Sequence, residues 1–128
     1  MADNVKAEVE EAISLPDSLL FGHLGQELNN SLENNLTITP APTALIALGV
    51  QWLLENRNWL CKDNSVKNLV LNSTDNVEIV LALVQLLASY KLHFNPVPIA
   101  VLLARKGIKK YCSGEWRPEA EFGVDVPE

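Results

Sequence analysis

A chain of 128 residues in which 48% are hydrophobic has the size and composition of one globular domain, which excludes a wholly disordered protein. Its formal net charge of −6 at pH 7 opposes the long-range attraction to phosphate that nucleic-acid-binding proteins use. Residues 1–11 are too acidic for a secretory leader, and no apolar run reaches the roughly 20 residues of a membrane span, so we expect a cytoplasmic protein without membrane contact.

Two amphipathic helices are predicted at the N-terminus. Residues 3–14 carry apolar side chains at spacings of three and four on an otherwise acidic segment, and Pro16 prevents this helix from continuing. Asp17 or Ser18 can cap a second helix that runs to about Glu33, with a leucine at every fourth position from residue 20 onwards. Both helices are expected to lie at the surface of the fold.

The next predicted helix, residues 43–56, is apolar on nearly every side and is therefore expected at the centre of the molecule. Gly49 costs about 1 kcal/mol relative to alanine within a helix, and close approach of a neighbouring helix would offset this cost. Residues 57–61 are either a continuation of this helix or its frayed end. Residues 66–71 fit a short helix or a short strand equally well, because so short a segment has no decisive periodicity.

A second largely buried helix is predicted over residues 76–91. Its start carries two spacings typical of a cap, Thr74 to Val77 and Asp75 to Glu78, and the second matches a capping box. Almost all of its other positions are apolar. The polar positions form one narrow stripe, made of Asp75, Glu78, Gln85 and Ser89.

The last long helix is predicted over residues 97–111, with an apolar first half and a basic second half. Residues 115–128 are expected to form an extended, mobile acidic tail, since they combine proline, glycine and acids. The predicted fold is an all-α bundle of five or six helices in a single domain, residues 1–114. Helices 43–56 and 76–91 are expected at its centre, with helix 97–111 packed against them.

Charge is segregated along the sequence. Residues 1–56 have eight acids and one base, residues 57–112 have eight bases and three acids, and residues 113–128 have five acids and one base. Such an asymmetry between segments indicates an interaction with a charged partner or between the segments themselves.

The sequence contains no recognisable catalytic, metal or cofactor motif. Cys61 and Cys112 are too few for a disulfide framework, so we expect buried free thiols. Together with His23 and His93 they are the residue types of a zinc site or a Cys–His pair, but no two stand at ligand spacing. No glycine-rich phosphate loop is present. We therefore predict a protein that is not an enzyme and holds no cofactor.

The basic end of the last helix is the main candidate binding feature. Helices 76–91 and 97–111 have the outline of a helix-turn-helix, but the second begins with apolar residues where bases would be read. Three explanations of the cluster stay open: it complements the helix dipole, docks acidic residues of the same or another copy, or binds phosphate. The candidate binding residues are Arg105, Lys106, Lys109 and Lys110 on the basic side and Glu8, Glu10 and Glu11 on the acidic side.

The function predicted from these patterns is that of a non-enzymatic helical adaptor or regulator acting through protein–protein contacts. Two helices that are apolar on nearly every side are more than a small chain readily covers, which favours a helical interface, for example in a homodimer. Two alternatives are kept. One is an acidic inhibitor or immunity-type protein that neutralises a basic partner through residues 3–33, and the other is a nucleic-acid-associated subunit that uses residues 105–110.

Overall fold

The computed structural model describes residues 2–31, 41–90, 92 and 94–124, and all regular structure in these ranges is helical, as predicted. The described residues form nine helices rather than five or six, because predicted elements are divided and short helices are added. They are α1 (Ala2–Ile13), α2 (Asp17–Ser31), α3 (Pro42–Glu55), α4 (Arg57–Lys62), α5 (Asn64–Val70), α6 (Val77–Ala88), α7 (Val97–Lys106), α8 (Ile108–Ser113) and α9 (Pro118–Glu121). None of these helices is long and apolar enough to cross a lipid bilayer.

The centre of the fold is α7, in which every residue from Val97 to Ala104 is buried. Helices α1, α2, α6 and α8 all pack against it. The prediction that residues 43–56 would be central is wrong, while α6, predicted over residues 76–91, is buried along one side and contacts α1, α5 and α7. In α3 the buried residues are Gly49, Val50 and Leu53, because this helix packs mainly on α2 at one side of the molecule.

Helix α6 is more buried than α3 and less buried than α7. Its predicted polar stripe is confirmed, since Glu78, Gln85 and Ser89 are exposed and its other side chains are mostly buried or half-buried. The cap is Asn76 rather than Asp75 or Thr74, and its side-chain oxygen accepts hydrogen bonds from the backbone N–H groups of Glu78 and Ile79 at 2.9 and 3.2 Å. Residues 64–70 are helical, which decides between the two predicted alternatives.

Helices α2 and α3 cross at a pair of glycines. A Cβ atom on Gly49 would lie 2.6 Å from the carbonyl oxygen of Phe21, and one on Gly25 would overlap the carbonyl oxygen of Leu45. The close approach expected at Gly49 is therefore confirmed, and Gly25 serves the same purpose on the facing helix. Any larger residue at either position would force the two backbones apart.

The predicted helix over residues 97–111 is broken at Gly107, which has φ +85° and ψ 143°. Gly107 lies against the connection between α5 and α6, where an added Cβ would come within 2.8 Å of the backbone nitrogen of Ser73. After the break the N–H of Lys109 donates to the carbonyl of Leu71 at 3.0 Å. The basic half predicted for one helix is thus divided between two helices with different neighbours, and its first two cations stay with the apolar half in α7.

The C-terminal segment packs on the domain as far as Val124, so the expected extended tail is wrong for residues 115–124. Trp116 is only 6% exposed, and its ring centroid lies 6.1 Å from that of Phe21. Phe122 makes an edge-to-face contact with Phe21 at 5.2 Å. Burial of these two aromatic side chains stabilises the packed segment, although the residues around them are acidic. Residues 125–128 lie outside the described residues.

A disulfide joins Cys61 of α4 to Cys112 of α8, with the two Cα atoms 5.8 Å apart. The expectation of two free thiols is therefore wrong. The cysteines are separated by 51 positions in the sequence, and only the packing of α4 against α8 brings them together. No local pattern in the sequence signals this pairing.

Candidate functional site

The structure divides the predicted basic cluster at Gly107. On the α7 side, both cations pair with Asp17 at the start of α2: Arg105 Nη1 lies 2.5 Å from its Oδ1, and Lys106 Nζ lies 3.1 Å from its Oδ2. Arg105 Nη2 also donates to the carbonyl of Ile13, at the end of α1, at 2.9 Å. The Asp17 side chain is 13% exposed, and the Arg105 and Lys106 side chains are 28% exposed. These two candidate binding residues therefore hold α1, α2 and α7 together.

Lys106 makes a further contact that fixes the C-terminal segment. Its ammonium group lies 5.7 Å from the ring centroid of Trp116. Such a cation–π contact adds to the ion pair with Asp17. Lys106 thus joins the junction of α2 and α7 to the residues that follow α8.

On the α8 side, Lys109 and Lys110 are exposed, and within the described residues neither ammonium group has an ion-pair partner. Their helix contacts α4 and α5, which are also basic. The three helices together carry five cations and no acid. We call the outer surface of these helices the basic face; its cations are Lys62, Lys67, Lys109 and Lys110, while the guanidinium of Arg57 lies against the buried ring of Tyr111.

The acidic candidates belong to a cleft of about 150 Å³ between α1, α2 and the beginning of α7. Glu8 and Glu11 of α1 line it together with His23 and Glu27 of α2, whereas Glu10 is exposed but does not line it. We call this the acidic cleft. Its apolar lining is formed by Ala12, Leu15, Leu20, Val97 and Pro98.

The acidic cleft is lined by three carboxylates, and no lysine or arginine is among its lining residues. Glu8 accepts a hydrogen bond from the side-chain amide of Asn95, which also lines the cleft. The single cation of α1, Lys6, lies 3.9 Å from Glu78 in an exposed pair. Three carboxylates around an apolar lining therefore favour a ligand with a positive charge at the end of an apolar chain.

A second cleft, of about 450 Å³, lies between the end of α1, the α5–α6 connection and α7. Its polar lining consists of Ser73, Thr74, Asp75 and Arg105. The Thr74 hydroxyl oxygen already accepts a hydrogen bond from the backbone N–H of Asn76 at 3.1 Å, and Arg105 is paired with Asp17. Within the described residues, no hydrogen bond joins the hydroxyl of Ser73 or Thr74 to the carboxylate of Asp75.

The residue types considered for metal or thiol chemistry are not brought together. The disulfide occupies both cysteines, and His23 lies in the acidic cleft. In the part of the chain that the structure describes, no group of three or more His, Cys, Asp or Glu residues is arranged to hold a metal ion. His93 lies outside the described residues.

Burial shifts one titratable group clearly. Tyr111 of α8 is fully buried, its hydroxyl donates to the carbonyl of Leu53, and desolvation raises the pKa of this phenol well above its ordinary value. The nearby Arg57, whose guanidinium carbon lies 5.3 Å from the ring centroid, opposes this rise. Tyr111 is therefore an anchor of α8 and not a proton donor to a ligand.

Comparison with known proteins identifies no relative: the chain matches no protein-family model, no curated protein and no solved structure. Its function must therefore be inferred from its own residues.

Sequence patterns alone identify only some of the residues that line the acidic cleft. Glu8 and Glu11 are three residues apart on α1, and His23 and Glu27 are four apart on α2, so each pair shares one face of its helix. This spacing could have identified each pair separately. That the two pairs line one cleft depends on the angle between α1 and α2, which no sequence pattern encodes.

Proposed function

We propose that this protein is a non-enzymatic adaptor or regulator that binds a basic partner protein through the acidic cleft. The observation that carries this proposal is the convergence of Glu8, Glu11 and Glu27 from two helices on one apolar-lined cleft. Because Leu15, Leu20 and Pro98 line the same cleft as these carboxylates, one cationic side chain could contact both the apolar and the charged groups.

The size of the cleft favours a protein side chain over a small-molecule cofactor. About 150 Å³ is well below the 300–1,000 Å³ of typical ligand pockets, and it suits one lysine or arginine side chain. The aliphatic part of that side chain would pack against Leu15, Leu20 and Pro98, and its cationic end would lie among the carboxylates.

An acidic inhibitor or immunity-type protein is the specific alternative that the same cleft favours. Such a protein would use the acidic cleft to cover a basic site on an enzyme, so the two proposals differ in the consequence of binding and not in the surface. The nucleic-acid alternative is weaker, because Asp17 neutralises two of its four cations, Arg105 and Lys106.

Location and oligomeric state stay predictions. Disulfides are uncommon in the cytosol, so the Cys61–Cys112 bond weighs against the cytoplasmic location expected from the sequence. Homodimer formation is tested directly by sedimentation equilibrium of the oxidised protein over a range of concentrations.

The test of the proposed function is affinity purification from the native host followed by binding measurements with the purified partner. We expect E8Q/E11Q/E27Q to weaken binding by about tenfold or more, since it removes three charges from the cleft. The matched control is E10Q/E55Q/E115Q, which removes three exposed carboxylates that do not line the cleft and should stay within about twofold of wild type. Equal binding by both variants would exclude the acidic cleft as the contact surface.

A further inference from the structure

The Cys61–Cys112 disulfide lies within the basic face. Both cysteines are half-buried, so they keep some exposure to solvent at the contact between α4 and α8. They are the two cysteines of the whole chain, and their bond is therefore its one possible internal disulfide. This feature is independent of the acidic cleft.

Exposed lysines flank both cysteines. Lys62 directly follows Cys61, while Lys109 and Lys110 precede Cys112 by three and two positions, and all three are exposed. The nearest acids along the sequence are Asp63 and Glu115. The positive charges therefore outnumber the negative ones around the disulfide.

Asp63 is held by two neutral hydrogen-bond donors and keeps its negative charge. Its carboxylate accepts a hydrogen bond from the N–H of Val66 at 3.1 Å and another from the hydroxyl of Tyr90. Glu115 is exposed. With three exposed lysines against Asp63 and Glu115, the segments that carry the two cysteines have a net positive charge toward an approaching molecule.

A positive field promotes thiol–disulfide exchange in two ways. The attacking species is a thiolate, so nearby cations raise the local concentration of thiols that carry further negative charge. The departing cysteine also leaves as a thiolate, which nearby cations stabilise. We propose that Cys61–Cys112 is a thiol–disulfide exchange site that reacts preferentially with anionic low-molecular-weight thiols, of which glutathione is the chemical type.

The reaction balances with two molecules of the small thiol. The first thiolate attacks one cysteine sulfur, a mixed disulfide forms, the Cys61–Cys112 bond breaks, and the other cysteine departs as a thiolate that takes up a proton. A second thiolate attacks the mixed disulfide, which releases the oxidised small-molecule disulfide and the second cysteine thiolate. The protein gains two electrons, and the two small thiols are oxidised.

Reduction changes how α8 is held. Gly107, with its positive φ, begins α8, and the disulfide ties its C-terminal part to α4. The buried side chains of Ile108 and Tyr111 keep α8 in contact with the core after the bond is broken. Reduction is therefore expected to loosen α4 and α8 locally without unfolding the domain, which hydrogen exchange at residues 57–62 and 107–113 would detect.

The test compares three small thiols of different charge: 3-mercaptopropionate, 2-mercaptoethanol and cysteamine. Reduction rates of the native, oxidised protein are divided by thiolate concentration and corrected for thiol pKa. At low ionic strength we expect the anionic thiol to react about tenfold faster than the cationic one, since three lysines act together, and this ratio should approach one in 1 M salt. The uncharged bis(2-hydroxyethyl) disulfide is the reference, for which the ratio should be near one throughout.

Variants then locate the effect. K62Q/K109Q/K110Q should bring the rate ratio close to that of the reference disulfide, while K6Q, which removes an exposed lysine from α1, should leave it unchanged. The salt series on the wild-type protein tests the proposal even if the triple variant fails to fold. A ratio near one at low salt would overturn the proposal, as would a disulfide that exchanges with none of the three thiols until the protein is denatured.

Discussion

The two sides of Gly107 carry the same kind of side chain with different structural consequences. Before it, Arg105 and Lys106 converge on Asp17 and join three helices, whereas after it Lys109 and Lys110 stay exposed on a short helix. The sequence presents all four as one cluster at helical spacing. The comparison teaches that the backbone conformation of a single glycine decides which of these charges belong to the interior framework and which face solvent.

The largest effect is expected on the α8 side from removal of the disulfide. Cys61→Ser with Cys112→Ser should lower the free energy of unfolding by about 4 kcal/mol, the loop-entropy value for a separation of 51 residues. Urea denaturation of the oxidised protein and the double variant measures this difference. A loss below about 1 kcal/mol would mean that the contacts of α4 and α8 hold without the covalent link.

The glycine itself can be tested against a matched control. Gly107→Ala should cost about 3 kcal/mol, because alanine strongly avoids φ +85° with ψ 143° and its Cβ would press on the backbone of Ser73. Gly114 has a similar φ of +82°, but an added Cβ would meet no atom within 4 Å. Gly114→Ala should therefore cost only about 1 kcal/mol. Gly114 has ψ 6°, so equal losses in urea denaturation would show that neither the ψ of Gly107 nor its contact with the α5–α6 connection adds to the cost.

The ion pairs before the break should contribute more than the exposed lysines after it. Asp17→Asn removes the common partner of Arg105 and Lys106, and we expect it to cost about 2 kcal/mol because the group is largely buried. Lys109→Gln with Lys110→Gln should change stability by no more than about 0.5 kcal/mol. Thermal unfolding at low and high salt measures the stability of both variants. A larger loss from the lysine variant would mean that Lys109 and Lys110, and not the ion pairs of Asp17, stabilise the fold.

The smallest effect concerns pH. Because burial raises the pKa of Tyr111 in the folded state above its unfolded value of about 10, stability is fully present below pH 10 and falls as the pH rises above it. The slope should reach at most about 1.4 kcal/mol per pH unit from this group. Urea denaturation between pH 9 and 11 measures how the free energy of unfolding changes with pH. Tyr111→Phe should remove the part of this change that comes from Tyr111 and leave the part that comes from the lysines, which titrate in the same range. An unchanged slope would show that Tyr111 does not titrate differently on unfolding.

The sequence predicts much of the helical content but not the arrangement of the helices. Periodicity and proline positions locate α1, α2 and α3 within a few residues, because these signals are local. Arg105, Lys106 and then Gly107 are typical of a helix end, but the helical pattern also continues beyond Gly107, so local signals alone do not decide whether the helix breaks there. The break requires the backbone of residues 71–73, which only the tertiary fold brings next to Gly107.

For the candidate sites too, the sequence shows the charged segments but not the contacts between them. Segregation of charge along the chain is visible in the sequence, and the acidic residues of the cleft come from the segment that it identifies. Which charges pair is not visible: Asp17 is a plausible cap by sequence, yet its carboxylate binds cations 88 and 89 positions away. The packing of Trp116 and Phe122 is not evident from composition, because the acids, proline and glycine of residues 115–128 are typical of a mobile segment and two aromatic side chains do not change that average.

The disulfide also gives the molecule a covalent ring. Residues 61–112 form a closed loop that contains α5, α6 and the central helix α7, while the segments before and after it remain open ends. A protease that cuts once inside this ring leaves one molecule with all of its core residues still linked, whereas a single cut elsewhere separates two fragments. A single cleavage between residues 61 and 112 should therefore leave the oxidised protein as one covalently linked molecule, whereas the same cleavage in the reduced protein produces two separate fragments.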